Sequence, residues 1–524
     1  MPSRSTPTAP SGPLSALAGF AAAACALAVG ELPTAIAGQR VGLVAAVANE
    51  FVDRFAASLK DLAVALFGQN DKVALVVGVV VASLALGAVL GLVARHRFWI
   101  AALGFVAFGA IGFGSLATDP SSGVGWALGS ATIAVTTGIG VLAVTLRTSS
   151  AATSETSRWG PGDDPTVTAP PRRQFLVVAG MLGAASVTGV AGRVLRGRGS
   201  VEAERRALEL PDPIRSTPTT ASDRTLTQVE GLSPYVTPNE AFYRIDTALG
   251  IPQVAADSWR LQVHGLVEAP YELTLEEILD MDLVEETVTI ACVSNEVGGD
   301  LVGNARWLGV PLGALLERAG VDPEGTQVVG RSTDGFTVGF PTETALDGRI
   351  AMVAVGMNGE PLPAAHGYPA RLIVAGLYGY VSATKWLSEI ELTRFEDFDA
   401  YWIPRGWAKE APIKTQSRID VPRSGAEVDP GPTAVAGVAW APTEGIAAVE
   451  VQVDDGRWRP AELGEAESGN TWRQWVHRWD ATPGTHTVRV RATDAAGDTQ
   501  TPEERPPRPD GATGYHEIQV RVRA

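Results

Sequence analysis

Residues Thr287–Asp300 read TVTIACVSNEVGGD, and the interpretation of the whole chain starts from this stretch. An apolar run typical of a buried strand ends at Cys292, and a turn containing Gly298 and Gly299 follows it. Cys292 is one of only two cysteines in 524 residues, and the other, Cys25, lies in an apolar N-terminal run. A lone buried cysteine is usually a small apolar core residue, but a thiolate at the end of a strand is also a good ligand for a soft metal. The rest of the chain has to distinguish these interpretations.

The composition excludes some classes of function. The formal net charge is -16, and a surface that binds nucleic acid needs clustered Lys and Arg, so nucleic acid is not expected as a partner. Two distant cysteines give no basis for a disulfide framework. The chain is long enough for several domains, and nearly all of its long uncharged runs lie before residue 195.

Five apolar runs near the N-terminus are long enough to cross the roughly 30 Å of a bilayer's hydrocarbon core as helices. They are Leu14–Gly38, Val73–Ala94, Phe98–Thr118, Val124–Leu146 and Phe175–Gly192. Buried helices of a soluble protein are the alternative, but three nearly adjacent runs of this length favour a membrane. We therefore predict an α-helical transmembrane anchor of about five spans over residues 1–197.

Arginines near the ends of these runs predict the orientation of the anchor, because basic residues concentrate in cytoplasmic loops. They lie between the second and third runs and between the fourth and fifth, and they are Arg95, Arg97, Arg147, Arg158, Arg172 and Arg173. This arrangement predicts a cytoplasmic N-terminus. Everything after the fifth run is then extracytoplasmic.

The segment Pro170–Gly180, PPRRQFLVVAG, resembles a twin-arginine export signal. That route carries folded proteins, and a protein that holds a fragile cofactor has to fold around it before crossing the membrane. Two positive-inside arginines without an export role are the simpler alternative.

After a predicted linker, residues 198–224, the chain mixes strand-like and helical segments over residues 225–412. The segments with the clearest patterns are Trp259–Val267, Thr274–Met281, Val310–Val321 and Arg371–Tyr380. The first and last of these favour strands by alternation or apolar content. Of the two helical segments, one begins with a capping box formed by Thr274 and Glu277, and the other ends at Gly320. The pattern predicts an α+β domain.

Residues 413–524 have a different character, in which apolar and polar residues alternate with a period of two. The alternating segments are TAVAGVAWA, GIAAVEVQVDDGRW, TWRQWVHRWDA, GTHTVRVRATDAAG and GYHEIQVRVRA, and Asp-Gly, Pro-Gly and Ala-Gly turns accompany them. Short strands at this spacing are typical of an all-β sandwich. The chain is thus predicted to be multidomain, with a helical anchor, an α+β domain and a C-terminal β-sandwich.

The order of several motifs resembles the sulfite-oxidase family of molybdenum enzymes. The motifs are TPNEAFYRID (Thr237–Asp246), TIACVSNEVGGD (Thr289–Asp300), the segment Met357–Leu392, and the sandwich segments Gly437–Gly456 and His486–Gly497. The resemblance covers the chain from about Leu232 to the end. It implies an α+β molybdopterin domain over residues 225–412, an immunoglobulin-like dimerisation domain over residues 413–524, and molybdenum–molybdopterin as the cofactor.

The resemblance also implies which residues form the site. In the family, the cysteine at this position gives its thiolate to molybdenum, so Cys292 is the candidate metal ligand. The candidates for binding the pterin and its phosphate are Phe242, Tyr243, Arg244, Asp246, Ser332, Asp334, His366, Arg371, Gly379, Ser382, Ala383, Thr384 and Lys385. Arg371 has the planar fork that suits phosphate, and the Gly-rich turn offers backbone N–H groups beside the charge of Lys385. Family members commonly have His where Asp246 stands.

The family's chemistry is two-electron oxygen-atom transfer at molybdenum, with electrons passed one at a time to or from a partner. In sulfite-oxidising members an Arg-Arg pair commonly follows the cysteine motif, whereas Glu296 and Val297 stand here, and a carboxylate repels sulfite. The active-site tyrosine of those members is also missing. Trp407 lies near that point with Arg405 beside it, and both join the cysteine as catalytic candidates, while Arg306 is a further arginine able to approach the site.

The predicted function is therefore a membrane-anchored, extracytoplasmic molybdenum oxidoreductase with a small substrate, for example a sulfur compound. Reduction of an S- or N-oxide by the same cofactor is the alternative reaction. A non-enzymatic, membrane-tethered interaction protein with a relic cofactor domain is the alternative of another class. No C-x-x-C-H haem site occurs, so the expected electron partner is a separate cytochrome or a membrane carrier. The resemblance also implies a homodimer through the C-terminal domain.

Overall fold

The computed structural model describes residues 12–36, 42–48, 50, 71–118, 123–156, 179–189, 201–216, 226, 228–248 and 250–524. The chain divides into two compact units. Residues 1–200 and 248–253 form the first unit, and residues 201–247 and 254–524 form the second. Both cysteines lie among the described residues, one in each unit, and no disulfide joins them.

Within the described residues of the first unit, four helices are long and apolar enough to cross a membrane. The candidate spans are Gly12–Ile36, Ala74–Ala94, Phe98–Ala117 and Val124–Arg147. The helices are α1 (Gly12–Gly30), α2 (Leu32–Ile36), α3 (Asp71–Ala94), α4 (Phe98–Ala117) and α5 (Val124–Thr156), and residues 43–48 and 179–189 are also helical. Four of the predicted spans are thereby confirmed in length and composition, whereas their orientation stays a prediction.

The fifth predicted span, Phe175–Gly192, is described only over residues 179–189, where it is helical. Arg172 and Arg173, on which the twin-arginine interpretation depends, lie outside the described residues. The fifth span and the export signal therefore stay predictions.

Glycines allow α1 and α3 to pack closely. A Cβ atom added at Gly19 would lie 2.1 Å from the carbonyl oxygen of Gly87, and one added at Gly91 would lie 2.0 Å from that of Ser15. Only residues without a side chain tolerate such an approach of two backbones. Small residues at helix crossings are typical of membrane bundles, because close packing there replaces the hydrophobic effect that joins helices in water.

The second unit begins with a β-rich central domain of two sheets and short helices. The strands are β1 (Arg215–Ser216), β2 (Arg260–Gly265), β3 (Tyr271–Thr274), β4 (Val284–Ala291), β5 (Val302–Pro311), β6 (Gln327–Ser332), β7 (Thr337–Pro341), β8 (Ala351–Met357), β9 (Glu360–Pro361), β10 (Arg371–Val374) and β11 (Leu387–Thr393). The helices are α6 (Glu202–Ala207), α7 (Leu275–Leu279), α8 (Leu312–Ala319), α9 (Thr342–Leu346) and α10 (Gly379–Ser382), with 3-10 turns at Ala364–His366 and Ile403–Arg405. One sheet has the order β1-β4-β5-β8-β10, with β9 paired to β8, and the other has the order β3-β2-β11-β6-β7.

Two local predictions in this domain are confirmed. The hydroxyl of Thr274 accepts the N–H of Glu277 at 3.1 Å, and the Glu277 carboxylate accepts the N–H of Thr274 at 2.8 Å, so a capping box starts α7. Helix α8 ends at Gly320, whose φ of +66° lies in the left-handed region that favours glycine.

Strand β4 brings Cys292 to the end of a buried sheet. It lies between β1 and β5, and its last residue, Ala291, pairs with Val302. Val288 and Ile290 of β4 belong to the buried cluster that also contains Trp307. The alternation of this strand therefore fixes its core face, and Cys292 is the first residue beyond it.

Part of the predicted linker, residues 201–216, packs onto the central domain. Val201 belongs to the same buried cluster as Phe242, and the guanidinium of Arg205 donates to the carbonyl oxygen of Pro361 at 2.8 Å. Strand β1 then pairs in parallel with β4. Such contacts depend on partners far along the chain, which no local pattern reveals, and the domain boundaries drawn from the sequence stay predictions.

The C-terminal part of the second unit consists of two sheets around one core. Its strands are β12 (Gln416–Val421), β13 (Glu427–Val428), β14 (Gly431–Trp440), β15 (Ile446–Val453), β16 (Arg459–Pro460), β17 (Glu462–Leu463), β18 (Arg473–Ala481), β19 (Gly484–Asp494) and β20 (His516–Val522). The sheet orders are β12-β14-β18-β17 and β13-β20-β19-β15-β16. Buried Val435 and Trp475 of the first sheet share a cluster with Val449, Val490 and Val520 of the second, which confirms the predicted all-β domain.

Candidate active site

A hydrogen-bonded loop holds Cys292 at the end of β4. The residue is 8% exposed, its N–H donates to the carbonyl oxygen of Leu301 at 2.9 Å, and its own carbonyl oxygen accepts the N–H of Asn295 at 3.0 Å. The buried side chain of Asn295 accepts the N–H of Leu301 at 2.9 Å and closes the loop. Gly298 within it has a φ of +78°, which favours glycine. These backbone hydrogen bonds thus fix the position of the Cys292 main chain, from which the thiol side chain extends.

Two tyrosine hydroxyls lie within electrostatic reach of Cys292. Burial raises the pKa of Tyr243, the charge at Cys292 raises it further, and Arg371 opposes the shift. Burial also raises the pKa of Tyr378, with a smaller contribution from Cys292. Both phenols therefore remain protonated hydrogen-bond donors at neutral pH. Tyr243 is among the residues predicted from the sequence, whereas Tyr378 is not, because nothing local marks it.

Arg371 is a buried cation, and one of its donors has no partner among the described residues. It is 5% exposed, its guanidinium carbon lies 4.9 Å from the centroid of the Trp307 ring, and Nη1 donates to the carbonyl oxygen of His366 at 3.1 Å. Its buried Nε has no hydrogen-bond partner among the described residues. Burial lowers the pKa of Arg371 to about 10.

His366 and Phe242 are packed beside this cation. The Nε2 of His366 donates to the carbonyl oxygen of Asn239 at 2.9 Å, because a carbonyl can only accept. Burial and the charge of Arg371 lower the pKa of His366 to about 4, so the ring is neutral at neutral pH. The Phe242 ring, 5.7 Å from His366 between centroids, is itself 5% exposed and belongs to the buried cluster.

Lys385 and Arg244 share the carboxylate of Asp246. The Asp246 Oδ2 atom lies 2.7 Å from Lys385 Nζ and 2.8 Å from Arg244 Nε. Burial lowers the pKa of Lys385 to about 8, although Asp246 opposes the shift. A Cβ atom added at Gly367 would lie 3.0 Å from Lys385 Cα and 3.1 Å from Arg371 Cβ. The two buried cations therefore flank the same glycine.

Ser332 and Asp334 lie in the turn between β6 and β7. The N–H of Asp334 donates to the Ser332 hydroxyl at 3.4 Å, and the N–H of Thr333 donates to the carbonyl oxygen of Trp386 at 3.0 Å. Burial raises the pKa of Asp334, and the charge of Asp246 adds to this effect. The turn thus lies within electrostatic reach of the shared carboxylate.

The predicted glycine-rich turn is helix α10 followed by extended residues. A Cβ atom added at Gly379 would lie 3.8 Å from the carbonyl oxygen of Ala291, so α10 begins beside the end of β4. The buried Ser382 hydroxyl donates to carbonyl oxygens of the preceding residues at 3.1 and 3.3 Å, and the N–H of Ala383 donates to the carbonyl oxygen of Gly379 at 2.9 Å. Thr384 is 0% exposed, and its Oγ1 has no partner among the described residues.

Arg405 and Trp407 lie in a half-buried aromatic cluster. The guanidinium carbon of Arg405 is 3.8 Å from the centroid of the Tyr401 ring, and its Nη1 donates to the carbonyl oxygen of Tyr401 at 2.6 Å. The Trp407 ring lies 5.7 Å from that of Tyr380, which belongs to α10. Helix α10 therefore connects this cluster to the end of β4.

A residue of the C-terminal domain also contacts the cluster. The guanidinium of Arg508 donates to the carbonyl oxygen of Arg405, and also to the carbonyl oxygen of Gly406 at 3.3 Å. The N–H of Ala408 donates to the carbonyl oxygen of Pro509 at 3.0 Å. Arg508 is not among the residues predicted from the sequence. It lies 102 positions from Gly406, and only the fold brings the two together.

Two other charged residues singled out in the sequence are Arg306 and Glu296. Arg306 precedes Trp307 on β5, and successive side chains of a strand lie on opposite faces. Arg371 packs over Trp307, so Arg306 belongs to the other face of the sheet, and its approach to the site stays a prediction. Glu296 is exposed in the loop after Cys292.

Similarity to known proteins identifies the family of this site. Residues 248–402 match the family described as oxidoreductase molybdopterin binding domain. The mitochondrial sulfite oxidase of Rattus norvegicus is 28% identical over 295 residues, which are 47% of this chain and 52% of that protein. The uncharacterized oxidoreductase YuiH of Bacillus subtilis (strain 168) is 34% identical over 149 residues, which are 28% of this chain and 72% of YuiH. This chain belongs to the sulfite oxidase family.

A solved structure supports the same assignment. The sulfane dehydrogenase SoxCD of Paracoccus pantotrophus matches with a TM-score of 0.50 and 25% identity over 55% of this chain and 82% of that chain. The chain spans about half the length of the curated sulfite oxidases it matches, 52% for the rat and human proteins. As a member of the sulfite oxidase family it is a molybdopterin-dependent oxidoreductase, which confirms the predicted enzyme class.

Buried polar groups of the central domain fit the molybdopterin cofactor of the sulfite oxidase family. Three buried polar atoms of this region lack partners among the described residues, namely Arg371 Nε, Thr384 Oγ1 and Thr333 Oγ1. The buried cations Arg371 and Lys385 flank one glycine beside them. A phosphate supplies the negative charge and acceptor oxygens that these donors lack, and a thiolate suits molybdenum as a soft donor.

Proposed function

We propose that this protein is a membrane-anchored, extracytoplasmic molybdenum oxidoreductase that carries out two-electron oxygen-atom transfer on a small substrate. The observation that carries the proposal is the buried Arg371, whose Nε has no partner among the described residues and which packs over Trp307. The Nε1 of Trp307 donates to the carbonyl oxygen of Val288, on the strand that leads to Cys292. A candidate thiolate ligand and a buried cation whose Nε has no partner among the described residues thus lie along one sheet. Cofactor-binding enzymes need this combination, whereas an ordinary core does not tolerate it.

In this proposal the Cys292 thiolate binds molybdenum, and the buried cations bind the pterin phosphate. Arg371 offers Nε and Lys385 offers its ammonium group as charge-assisted donors. The other groups proposed to contact the pterin or its phosphate are Tyr243, Arg244, Ser332, Asp334, His366, Gly379, Ala383 and Thr384. Asp246 orients Lys385, while Phe242 and Ser382 support the site by packing and by hydrogen bonds to the backbone.

The bound cofactor supplies the redox chemistry and the site of oxygen-atom transfer. The chain's own residues hold the cofactor, exclude water and control the protons around the sulfur. The raised pKa values of Tyr243 and Tyr378 keep both hydroxyls protonated. Phenolic donors near a metal-bound sulfur withdraw electron density from it, so we propose that these tyrosines tune the Cys292 ligand.

We propose an uncharged sulfur compound, rather than sulfite, as the substrate. Glu296 and Val297 stand where sulfite-oxidising members commonly have two arginines, and the exposed Glu296 carboxylate disfavours an anion. Trp407 stands near the position at which sulfite-oxidising members have their active-site tyrosine, and Arg405 is stacked on Tyr401. In this proposal, the rings of Trp407 and Tyr401 therefore stand where a sulfite oxidase would have part of its anion-binding pocket. The same features favour reduction of an S- or N-oxide as the second candidate reaction.

The remaining parts of the proposal concern the other domains. Residues 1–197 form the membrane anchor of about five spans, and the arginine pair acts in export. Residues 225–412 form the molybdopterin domain and residues 413–524 an immunoglobulin-like domain through which the protein dimerises. A separate cytochrome or a membrane carrier exchanges electrons with the site.

The proposal is tested on full-length protein purified from a host that makes molybdopterin. We expect near-stoichiometric molybdenum and, in dye-linked assays, faster turnover with a thioether, sulfoxide or N-oxide than with sulfite. Cys292→Ser should keep the fold but lower turnover more than about a hundredfold, because even outer-shell partners of a metal ligand contribute ten- to hundredfold. Cys25→Ser, the matched control, should leave turnover unchanged. Wild-type turnover in Cys292→Ser would refute the ligand, and a clear preference for sulfite would refute the substrate.

A further inference from the structure

The loop after Cys292 rests on the C-terminal sandwich. The guanidinium of Arg418, on β12, donates to the carbonyl oxygen of Gly299 at 2.8 Å. A Cβ atom added at Gly298 would lie 2.2 Å from Cδ2 of His516, at the start of β20. The backbone of the loop is therefore in contact with one side chain from each sheet of the sandwich.

The strand before Cys292 rests on the sandwich as well. The N–H of Thr289 donates to the carbonyl oxygen of Asn470 at 2.9 Å, and the Thr289 hydroxyl accepts the N–H of Trp472 at 2.6 Å. Thr289 lies three positions before Cys292 on β4. Backbone groups of the sandwich thus hold the strand that leads into the cysteine.

Arg418 is built as a rigid connector between the two domains. It is 9% exposed, and each of its three nitrogens has a different partner. Nε pairs with Asp420 at 2.7 Å, Nη2 donates to the Ser233 hydroxyl at 2.9 Å, and Nη1 donates to Gly299. A planar guanidinium fixes the relative positions of all three partners, which a flexible ammonium cannot do.

The loop is short enough to transmit this constraint to Cys292. The N–H of Gly299 donates to the carbonyl oxygen of Glu296 at 2.9 Å, and Asn295 bonds to the carbonyl oxygen of Cys292 at 3.0 Å. The same Asn295 holds Leu301, whose carbonyl oxygen accepts the N–H of Cys292. A shift of Gly299 therefore moves the hydrogen bonds that orient the cysteine.

We propose that the C-terminal sandwich positions the Cys292 thiolate, with Arg418 and His516 acting as positioning residues through Gly298 and Gly299. The inference rests on the proposed role of Cys292 as the metal ligand. It gives the sandwich a task inside its own chain, independent of dimerisation. The sandwich then sets how tightly and at what angle the sulfur meets the metal.

Two variants weaken these contacts while sparing the rest of the fold. Arg418→Lys keeps a positive charge for Asp420 but loses the planar fork that reaches Gly299. His516→Asn keeps an acceptor for the N–H of Ile419, which Nδ1 of His516 now accepts at 2.9 Å, but removes the ring edge that lies against Gly298. Agreement between the two variants separates positioning from any effect peculiar to one of them.

Arg491→Lys is the matched control. Arg491 pairs with Glu450 at 2.7 Å within the other sheet of the sandwich, and both residues belong to adjacent strands of that sheet. The substitution therefore makes the same chemical change without altering a contact to the cysteine loop. Its thermal unfolding also reports what a change confined to the sandwich does to stability.

The first measurement is the rate at which iodoacetamide alkylates Cys292 in full-length apoprotein from a host without molybdopterin. A Cys25→Ser background leaves Cys292 as the only thiol of the chain. We expect several-fold faster alkylation in Arg418→Lys and His516→Asn, and the parent rate in Arg491→Lys. In protein loaded in a molybdopterin-producing host, the sulfur-to-molybdenum absorption band should shift and molybdenum retention should fall about tenfold.

The outcomes separate this inference from the proposed function. Parent-like alkylation and absorption in both variants would overturn the positioning role, even with molybdenum bound and turnover intact. A parent protein that binds no molybdenum would overturn the proposed function. The alkylation rates would still decide whether the sandwich holds the cysteine loop.

Discussion

Two buried guanidinium groups of the second unit differ in what satisfies them. Arg418, 9% exposed, pairs with Asp420 at 2.7 Å and donates to Gly299 at 2.8 Å. Arg371, 5% exposed, donates to the carbonyl oxygen of His366, and its buried Nε has no partner in the part of the chain that the structure describes. A buried charge without a counter-charge is strongly unfavourable unless something outside the chain completes it. The cation of the sandwich therefore serves the fold, whereas the cation of the central domain is the one that we propose to bind a ligand.

Two buried hydroxyls of one short segment show the same contrast. Ser382 donates to carbonyl oxygens of the residues just before it, so its hydrogen bonds are complete within the chain. Thr384, two positions later and 0% exposed, has no partner for its Oγ1 among the described residues. The presence of a hydrogen-bond partner within the chain, rather than burial or residue type, distinguishes the scaffold from the proposed site.

Removing the paired cation should have the largest effect on the apoprotein. We expect Arg418→Met to lower the free energy of unfolding by about 3–5 kcal/mol, because Asp420 is left as a buried charge. The double variant Arg418→Met/Asp420→Leu should recover most of this loss, since apolar replacements of a whole buried pair are often neutral. Urea unfolding measures both. A single variant as stable as wild type would break the comparison.

The pH dependence of the apoprotein tests whether burial and the charge of Arg371 keep the neighbouring His366 neutral. Burial and Arg371 lower the pKa of His366 from 6.5 to about 4, so the native state holds the ring neutral. The unfolded chain binds a proton below its pKa, so the stability tied to neutral His366 is present above pH 6.5 and is lost as the pH falls to about 4. The loss amounts to about 3 kcal/mol, at about 1.4 kcal/mol for each pKa unit. His366→Gln should lose less stability across this window in urea unfolding, and equal losses would contradict the cause.

Features that depend on neighbouring residues are predictable from the sequence. The capping box at Thr274 needs only a glutamate three residues later, and the end of α8 needs only Gly320. The alternating strands of the sandwich and the four apolar spans follow from periodicity and length in the same way. Cys292 is predicted as the ligand because a short motif surrounds it, and that motif lies within the residues that match the family.

Features that depend on distant residues are not predictable in this way. Asp246 pairs with Lys385 across 139 positions, and Arg508 reaches Gly406 across 102. Tyr378 lies near Cys292 only because α10 begins beside the end of β4. No local pattern encodes such pairs, since the chain brings them together through sheet register and domain packing.

Removing the unpaired cation should act on the cofactor and spare the fold. We expect Arg371→Met to lower retained molybdopterin about ten- to hundredfold, because a hydrogen bond to a charged group contributes about 1.5–3 kcal/mol. The methionine keeps apolar contact with Trp307, and the apoprotein should be at least as stable as wild type because an uncompensated buried charge is gone. Pterin analysis of the loaded protein and urea unfolding of the apoprotein measure the two effects. A large loss of apoprotein stability would mean that Arg371, like Arg418, stabilises the fold.

The hydroxyl pair gives the smallest effects and the sharpest contrast. Thr384→Val replaces the unpartnered Oγ1 with a methyl group, so the apoprotein should be unchanged or more stable by up to about 1 kcal/mol, while molybdopterin is held less tightly. Ser382→Ala removes a donor that two carbonyl oxygens use, so the apoprotein should lose about 1 kcal/mol. Thermal unfolding of the two apoproteins and pterin analysis of the two loaded proteins compare them directly. Equal destabilisation would mean that Thr384 has a partner within the fold, and its hydroxyl would then belong to the scaffold instead of the site.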